Sequence, residues 1–245
     1  MESYSIKEYE DFNWEIYKNN NPYLYIIGLR TKDEYEKNYL YEGRYIGRSY
    51  NKEINKNFKT FHILIATIGK LSILRMLHSL KNELLEKDYL TIVFDGTNHN
   101  YEIIKKYIEE QFICNTNIIL EKENLGFWGH GIRNKYKDLE GDFIYHCDDD
   151  DIILEGSFKK IRNICIHKDT IYLFKIQTEN GNIIWKKKNI NLTEISTQSG
   201  IIPKEINKEG HWALKYGGDY HFYKDITKNN KVLYINILIY KKYKS

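Results

Sequence analysis

From about residue 58 onward, apolar positions recur in two different rhythms, and the switching between them predicts the fold. Residues 62–66 form a short unbroken apolar run, the pattern of a strand buried on both faces. Leu71, Leu74, Leu77, Leu80 and Leu84 then recur at helical spacing. A strand over 89–94 and a helix over 101–112, with Ile104, Tyr107 and Ile108 on one face, repeat the alternation. A strand over 117–120, a helix near 131–139 and a strand over 142–147 extend it. Such β–α alternation predicts a mostly parallel, Rossmann-like sheet covered by helices.

After Asp151 the rhythm changes to a helix near 157–165, a strand over 171–178, a turn at 179–182 and a strand over 183–187. Asn180-Gly181 in that turn is a hairpin signal. An amphipathic helix near 218–227, bringing Phe222, Tyr223 and Ile226 together, precedes a last strand over 232–240. The second half therefore reads as a smaller antiparallel layer attached to the first. Before residue 58 the candidates are strands at 23–29 and 41–46 and a polar connector over 51–59. Residues 1–57 are read as an N-terminal appendage of unassigned role and 58–245 as one α/β domain.

Composition removes several function classes. The 245 residues carry 37 Lys and Arg against 34 Asp and Glu, a formal charge of +3, with 42% hydrophobic and 29% charged residues. That balance argues against disorder and against a polyanion-driven nucleic-acid binder. The longest apolar runs, such as 61–68 and 233–240, fall far short of the roughly 18 residues of a membrane span. The opening Met1-Glu-Ser-Tyr-Ser lacks the basic start and apolar run of a secretory signal, so a cytoplasmic location is expected. Cys114, Cys147 and Cys165 are too few and too scattered for a disulfide framework and read as buried reduced thiols. The 22 tyrosines against 10 phenylalanines and 2 prolines, with many Lys, Asn and Ile, look like an AT-rich coding bias, so surface Lys and Asn say little about partners.

In open parallel sheets, ligands bind outside the carboxyl ends of the strands, which directs attention to the residues just after each strand. Asp148, Asp149, Asp150 and Asp151 follow the apolar strand ending at Cys147. Like charges about 4 Å apart repel by roughly 4 kcal/mol near a protein surface, so such a run calls for a cation. Mg²⁺ and Mn²⁺ prefer oxygen ligands, and residues i and i+2 of an extended segment face one side. Either Asp148 with Asp150 or Asp149 with Asp151 can chelate one ion; the alternative is a solvated acidic turn. Gly69 is read as opening the first helix, where free N–H groups receive an anion or simply make a strand-to-helix turn.

Asp95, after the second strand, accepts hydrogen bonds from a base or ribose, or else caps a turn with Gly96. The segment Leu125-Gly-Phe-Trp-Gly-His-Gly-Ile-Arg-Asn134 combines glycines with a stacking face at Trp128 and a cation at Arg133. Its plain alternative is a glycine-rich helix entry with Trp128 in the core. Asp219 follows Gly217 and Gly218, either as an N-cap or as an acid facing the sheet edge, and His211 or His221 can complete a metal shell.

Taken together, these residues resemble the nucleotide-sugar glycosyltransferases of the GT-A fold, closest to family 2. The resemblance covers about residues 61–228 and rests on Ala66-Thr-Ile-Gly69, Val93-Phe-Asp95-Gly96, Gly126 with Arg133-Asn134, Gly141 through Asp151, and Gly217 through Tyr223. It implies a nucleotide-binding half over 58–151 and an acceptor-binding half over 152–245. Thr67 and Asp95 would contact the nucleoside, with Gly126, Trp128 and Arg133 on the donor side. The Asp148–Asp151 group would be the DXD motif holding ribose and metal, with Asp148 and Asp149 on the nucleotide and Asp149, Asp150, Asp151 and His221 as candidate ligands of Mn²⁺ or Mg²⁺. Asp219 would be the catalytic base, the donor a UDP-sugar, and the acceptor a hydroxyl of a glycan, protein or small molecule, attacked with inversion. This chain departs from the family pattern in its single Asp95 before Gly96-Thr97, in four aspartates that leave the metal register open, and in its N-terminal appendage. The competing readings are a sugar nucleotidyltransferase, disfavoured by a first loop poor in glycine and basic residues, and a non-catalytic nucleotide-sugar-binding protein.

Overall fold

The structure is a computed structural model that describes residues 12–21, 24–25, 28–43, 59–96, 100–185 and 189–243. The chain divides into two compact units, Met1–Phe58 with Lys160–Ile166, and Lys59–Lys159 with His167–Ser245.

In the first unit, helices α1 (Trp14–Asn20) and α2 (Lys32–Asn38) are followed by a π-helical turn, Tyr39–Gly43. A capping box between Thr31 and Glu34 starts α2. Tyr17 packs edge-on against Tyr35 and Tyr39 and donates its hydroxyl to Asn38 at 2.7 Å. The expected strand over 23–29 is not there: Leu24 and Tyr25 are helical and Gly28 sits in a turn, while Tyr23, Ile26 and Ile27 lie outside the described residues. Of the expected strand over 41–46, residues 41–43 belong to the π-helical turn and 44–46 lie outside the described residues, as do 51–58 of the expected connector.

The second unit holds β1 (Phe61–Thr67), β2 (Tyr89–Phe94), β3 (Asn115–Leu120), β4 (Phe143–Cys147), β5 (Ile152–Ile153), β6 (Thr170–Gln177), β7 (Ile183–Ile184), β8 (Gly200–Pro203) and β9 (Lys231–Lys241). Among the described residues these form one sheet in the order β3-β2-β1-β4-β8-β6-β9-β5, with β7 beside β6. Every residue of β1 is buried, as an unbroken apolar run in a central parallel strand requires. Its helices are α3 (Ile73–Leu80), α4 (Tyr101–Gln111), α5 (His130–Lys135), α7 (Lys204–Glu209) and α8 (Gly218–Lys228), while α6 (Ser157–Ile164) has residues 157–159 in this unit and 160–164 in the first. Helix α3 turns Ile73, Met76, Leu77 and Leu80 inward; of the expected face Leu77 and Leu80 are buried within it and Leu84 beyond its end, while Leu74 is half-buried and Leu71, before the helix, is exposed.

Strands β1 to β4 pair in parallel. Beyond them β8 lies antiparallel between β4 and β6, and β9 runs parallel to β6. The antiparallel part is thus continuous with the parallel sheet. The hairpin at Asn180-Gly181 forms with Gly181 at φ 80°; residues 186–188 of its expected second strand lie outside the described residues. All three cysteines are free and buried, and burial raises each thiol's pKa. No described helix is long and apolar enough to cross a membrane.

His62, at the start of β1, is buried with Nδ1 3.2 Å from the Glu140 carbonyl and Nε2 2.8 Å from Thr91 Oγ1. A carbonyl only accepts, so Nδ1 carries the proton and Nε2 accepts from the threonine. Burial lowers its pKa from 6.5 to about 4. The unfolded chain therefore binds a proton that the folded chain refuses, and this contribution to stability is lost as pH falls from about 6.5 towards about 4. At about 1.4 kcal/mol per pKa unit, the expected loss is roughly 3 kcal/mol. Melting temperatures measured at pH 7 and pH 4.5 should fall more steeply for wild type than for His62→Gln. Equal falls would refute the assignment.

Candidate active site

Two antiparallel steps, β4 to β8 and β8 to β6, return β6 and β9 to the direction of the parallel strands. The carboxyl ends of β1, β2, β4, β6 and β9 consequently face one cleft of about 880 Å³. Its walls include Thr67 from β1, Asp95 after β2, all four aspartates after β4, Thr178 after β6 and Lys242 after β9. Strand order reverses between β1 and β4, the switch point where open α/β sheets place ligands. A hydrogen bond spans that point, with the Thr67 hydroxyl donating to Asp149 Oδ2 at 2.5 Å.

Asp148 accepts from Arg133 Nη2 at 2.9 Å and from Gln198 Nε2, with Lys242 Nζ 3.9 Å away. Asp151 is buried; its Oδ1 accepts from the Tyr243 N–H at 2.8 Å, and its Oδ2 has no hydrogen-bond partner. Burial, reinforced by the neighbouring carboxylates, raises Asp149 to about 6 and Asp151 to about 7 and shifts Asp150 upward as well. These are the marks of a buried acidic loop, on which Arg133, Lys242 and Arg75 act as partial counter-charges. Across the cleft, Asp219 lies in the first turn of α8, its Oδ1 accepting from Tyr220 N–H at 2.8 Å. Its pKa is also raised by burial, with Asp148 adding repulsion and Lys242 opposing it.

Asp95 accepts from the N–H groups of Leu125 and Gly126, the latter at 2.9 Å, and so fixes the glycine-rich segment to the end of β2. Gly126 adopts φ 64° and ψ −159°, a region open essentially to glycine. Phe127 and Trp128 then both take positive φ, 55° and 53°. A Cβ on Gly129 would lie 2.6 Å from that of Ala66, so the segment approaches β1 as closely as backbone allows.

No protein-family model and no curated protein matches the sequence. Among solved structures, that of S. aureus TarS 1-349 aligns with a TM-score of 0.61 at 17% identity, over 75% of this chain and 60% of TarS 1-349. A mannosyltransferase from Pyrobaculum calidifontis in complex with GDP-Man and Mn²⁺ gives 0.58 at 10% identity, over 82% and 62%. GalNAc-T7 with UDP, GalNAc and Mn²⁺ gives 0.54 at 13%, over 77% and 44%. The chain has the GT-A fold.

Within this GT-A sheet, Thr67, Asp95, Gly126, Trp128, Asp148, Asp149, Asp150, Asp151 and Asp219 all line the cleft. Arg133 does not. It is 1% exposed, donating to the carbonyls of Trp128 and Cys147 as well as to Asp148, and its guanidinium lies 5.2 Å from the Trp212 ring. It positions the site from behind. His221 is also absent from the cleft wall, because two residues along a helix turn a side chain about 200° away from Asp219. Among the described residues no three His, Cys, Asp or Glu side chains converge on one metal position.

Gly69 precedes α3 by four residues and its N–H is already taken by Thr67 Oγ1 at 2.8 Å, so the anion site expected there does not form. Trp128 is 71% exposed, outside the core. The N-cap of α8 is Gly217, not Asp219. Sequence reasoning missed Gln198, Tyr216, Lys242 and Tyr243. Lys242 directly follows a strand that shares the sheet's direction, the same signal that singled out Asp95 and Asp148.

Proposed function

We propose that this chain is a metal-dependent glycosyltransferase that moves a sugar from a nucleotide-sugar donor, a UDP-sugar, to an acceptor hydroxyl with inversion. The observation that carries this reading is the acidic loop after β4, placed at the switch point with Asp219 across the same cleft. The GT-A likeness supports it, as do the UDP and GDP-Man complexes of the structures named above. The residues suit a hard cation: they are oxygen donors, Asp151 Oδ2 is buried and unpartnered, and three of the four carboxyls have raised pKa values. Carboxylates of the Asp149–Asp151 segment would hold it, no three of them converging on one position among the described residues, and when bound it would neutralise the diphosphate leaving group.

The protein's own groups do the rest. Thr67, Asp95 and Gly126 border the nucleoside end, and Arg133 and Gln198 fix the Asp148 carboxylate. Asp219 takes the proton of the acceptor hydroxyl as its oxygen attacks the anomeric carbon from the face opposite the departing diphosphate, which inverts that centre. Calorimetric titration of UDP should show affinity about tenfold or more higher with Mn²⁺ than with EDTA, a difference of about 1.4 kcal/mol. Asp150→Ala should abolish the gain. UDP affinity indifferent to EDTA would remove the metal from the scheme, and binding of UDP-sugars with no turnover would favour a non-catalytic binding protein.

A further inference from the structure

Two of the most exposed aromatic side chains among the described residues stand together at the mouth of the cleft. Trp128 is 71% exposed and Tyr216 is 79% exposed, and their rings meet edge-to-face with centroids 6.3 Å apart at 80°. Left-handed backbone on two successive non-glycine residues costs of order 1–3 kcal/mol each, and it persists only where the surroundings enforce it. Here the enforcement is visible: Arg133 donates to the Trp128 carbonyl at 2.8 Å, and Gly129 is wedged against Ala66. The fold thus holds an indole outward in strained backbone, although its burial in the core would have been favourable.

We infer that Trp128 and Tyr216 form the acceptor subsite and that the acceptor is a carbohydrate, seated with the C–H face of a pyranose ring on this aromatic corner. The inference rests on the glycosyltransferase reading and deepens it. Two rings at 80° present a floor and a wall, which suits a saturated ring with one apolar face and hydroxyls around its edge. Tyr216 and Asp219 line the same cleft three residues apart in the chain, which would bring the hydroxyls of a sugar resting on the ring towards the carboxyl that must take a proton. The hairpin residues Glu179, Asn180 and Asn182, with Thr193, line the same cleft and supply hydrogen-bonding groups for the remaining hydroxyls. A peptide acceptor would instead be revealed by the serine-containing peptide arm of the test. A nucleotide base would stack as a flat plate and would draw the pair into donor binding, a distinct outcome of the test.

The test uses the full chain and two independent readouts. In the first, saturation-transfer NMR is recorded with methyl glycosides of glucose, galactose and N-acetylglucosamine, with glycerol as a polyol lacking a ring. At least one glycoside should receive saturation where glycerol does not, and Tyr216→Ala and Trp128→Ala should each weaken that binding by about tenfold, the scale of one lost aromatic contact. In the second, UDP release from UDP-sugars with Mn²⁺ is followed with the same glycosides and with a serine-containing peptide. The glycoside should accelerate release, and Tyr216→Ala should raise its KM about tenfold while UDP affinity stays within about twofold of wild type. No saturation of any glycoside, acceleration by the peptide alone, or loss of UDP affinity in Tyr216→Ala would each overturn the subsite. Glycoside binding that depends on Tyr216 but is accompanied by no release from any nucleotide sugar would leave the subsite standing and remove the transferase reading instead.

Discussion

Asp219→Asn should bind UDP and unfold like wild type, yet transfer sugar to acceptor about 10²–10⁴-fold more slowly, the range for a lost general base. The substitution keeps the oxygen that accepts the Tyr220 N–H at 2.8 Å, so the first turn of α8 is undisturbed. Because Gly217 serves as the N-cap, no capping bond is lost either. What disappears is the capacity to take a proton. Burial raises the Asp219 pKa, and a general base works only when deprotonated, so the acid limb of the wild-type rate profile should lie above the ordinary carboxylate range. The measurement is steady-state transfer and donor release for both proteins across pH. Near-normal turnover in the variant, at unchanged donor affinity, would leave Asp219 with no catalytic part and turn attention to Asp148 or Glu179, two further acids on the cleft wall.

Arg133→Met should cost more stability than a change at any of the solvent-facing lysines. One guanidinium holds three acceptors from two segments: the Trp128 carbonyl in the glycine-rich segment, and the Cys147 carbonyl and Asp148 carboxylate at the end of β4. Methionine fills much of the space and removes all three bonds, leaving Asp148 with Gln198 and the more distant Lys242. Removing one partner of a buried ion pair typically costs 3–5 kcal/mol. Asp148 is 28% exposed and can recruit water, which favours the lower end, about 3 kcal/mol. For a domain of this size that corresponds to a fall of about 6–12 °C in melting temperature. The strained Trp128 backbone should relax as well, so proteolysis near 127–129 should quicken. A melting temperature within about 2 °C of wild type would mean that water replaces the guanidinium at little cost, and the role given to Arg133 in holding Asp148 would fall.

Both predictions turn on residues whose type was visible in the sequence and whose setting was not. Arg133 was legible as a cation in a glycine-rich segment, able to meet either a phosphate or a carbonyl, and it meets two carbonyls. Spacing cannot tell whether a long side chain points into a cleft or back through the core, because that depends on what packs behind it. Here Trp212 and the end of β4 lie behind it. His221 failed for a simpler reason, since the start of α8 fixes the angular offset from Asp219, and the sequence alone did not show on which side of the helix the cleft would lie.

By itself, the sequence determined the parallel half of the sheet and the address of the site. Strands buried on both faces must be unbroken apolar runs, and covering helices must repeat their apolar positions every three or four residues, so β1, α3, β2, α4 and β4 were written in local pattern. Four aspartates after a buried strand likewise marked the ligand edge without any knowledge of what lay opposite. Tertiary structure decided the rest. Strand β8 has two isoleucines between Gly200 and Pro203, too short a pattern to read, yet its insertion between β4 and β6 is what orients β6 and β9 so that Thr178 and Lys242 reach the cleft. Which carboxylate is held by Arg133 and Gln198, which is left buried with an unpartnered oxygen, and why Trp128 stands in solvent are all outcomes of long-range packing. Local pattern fixes which faces are apolar; only the assembled sheet fixes which strand ends, and so which charges, face one another.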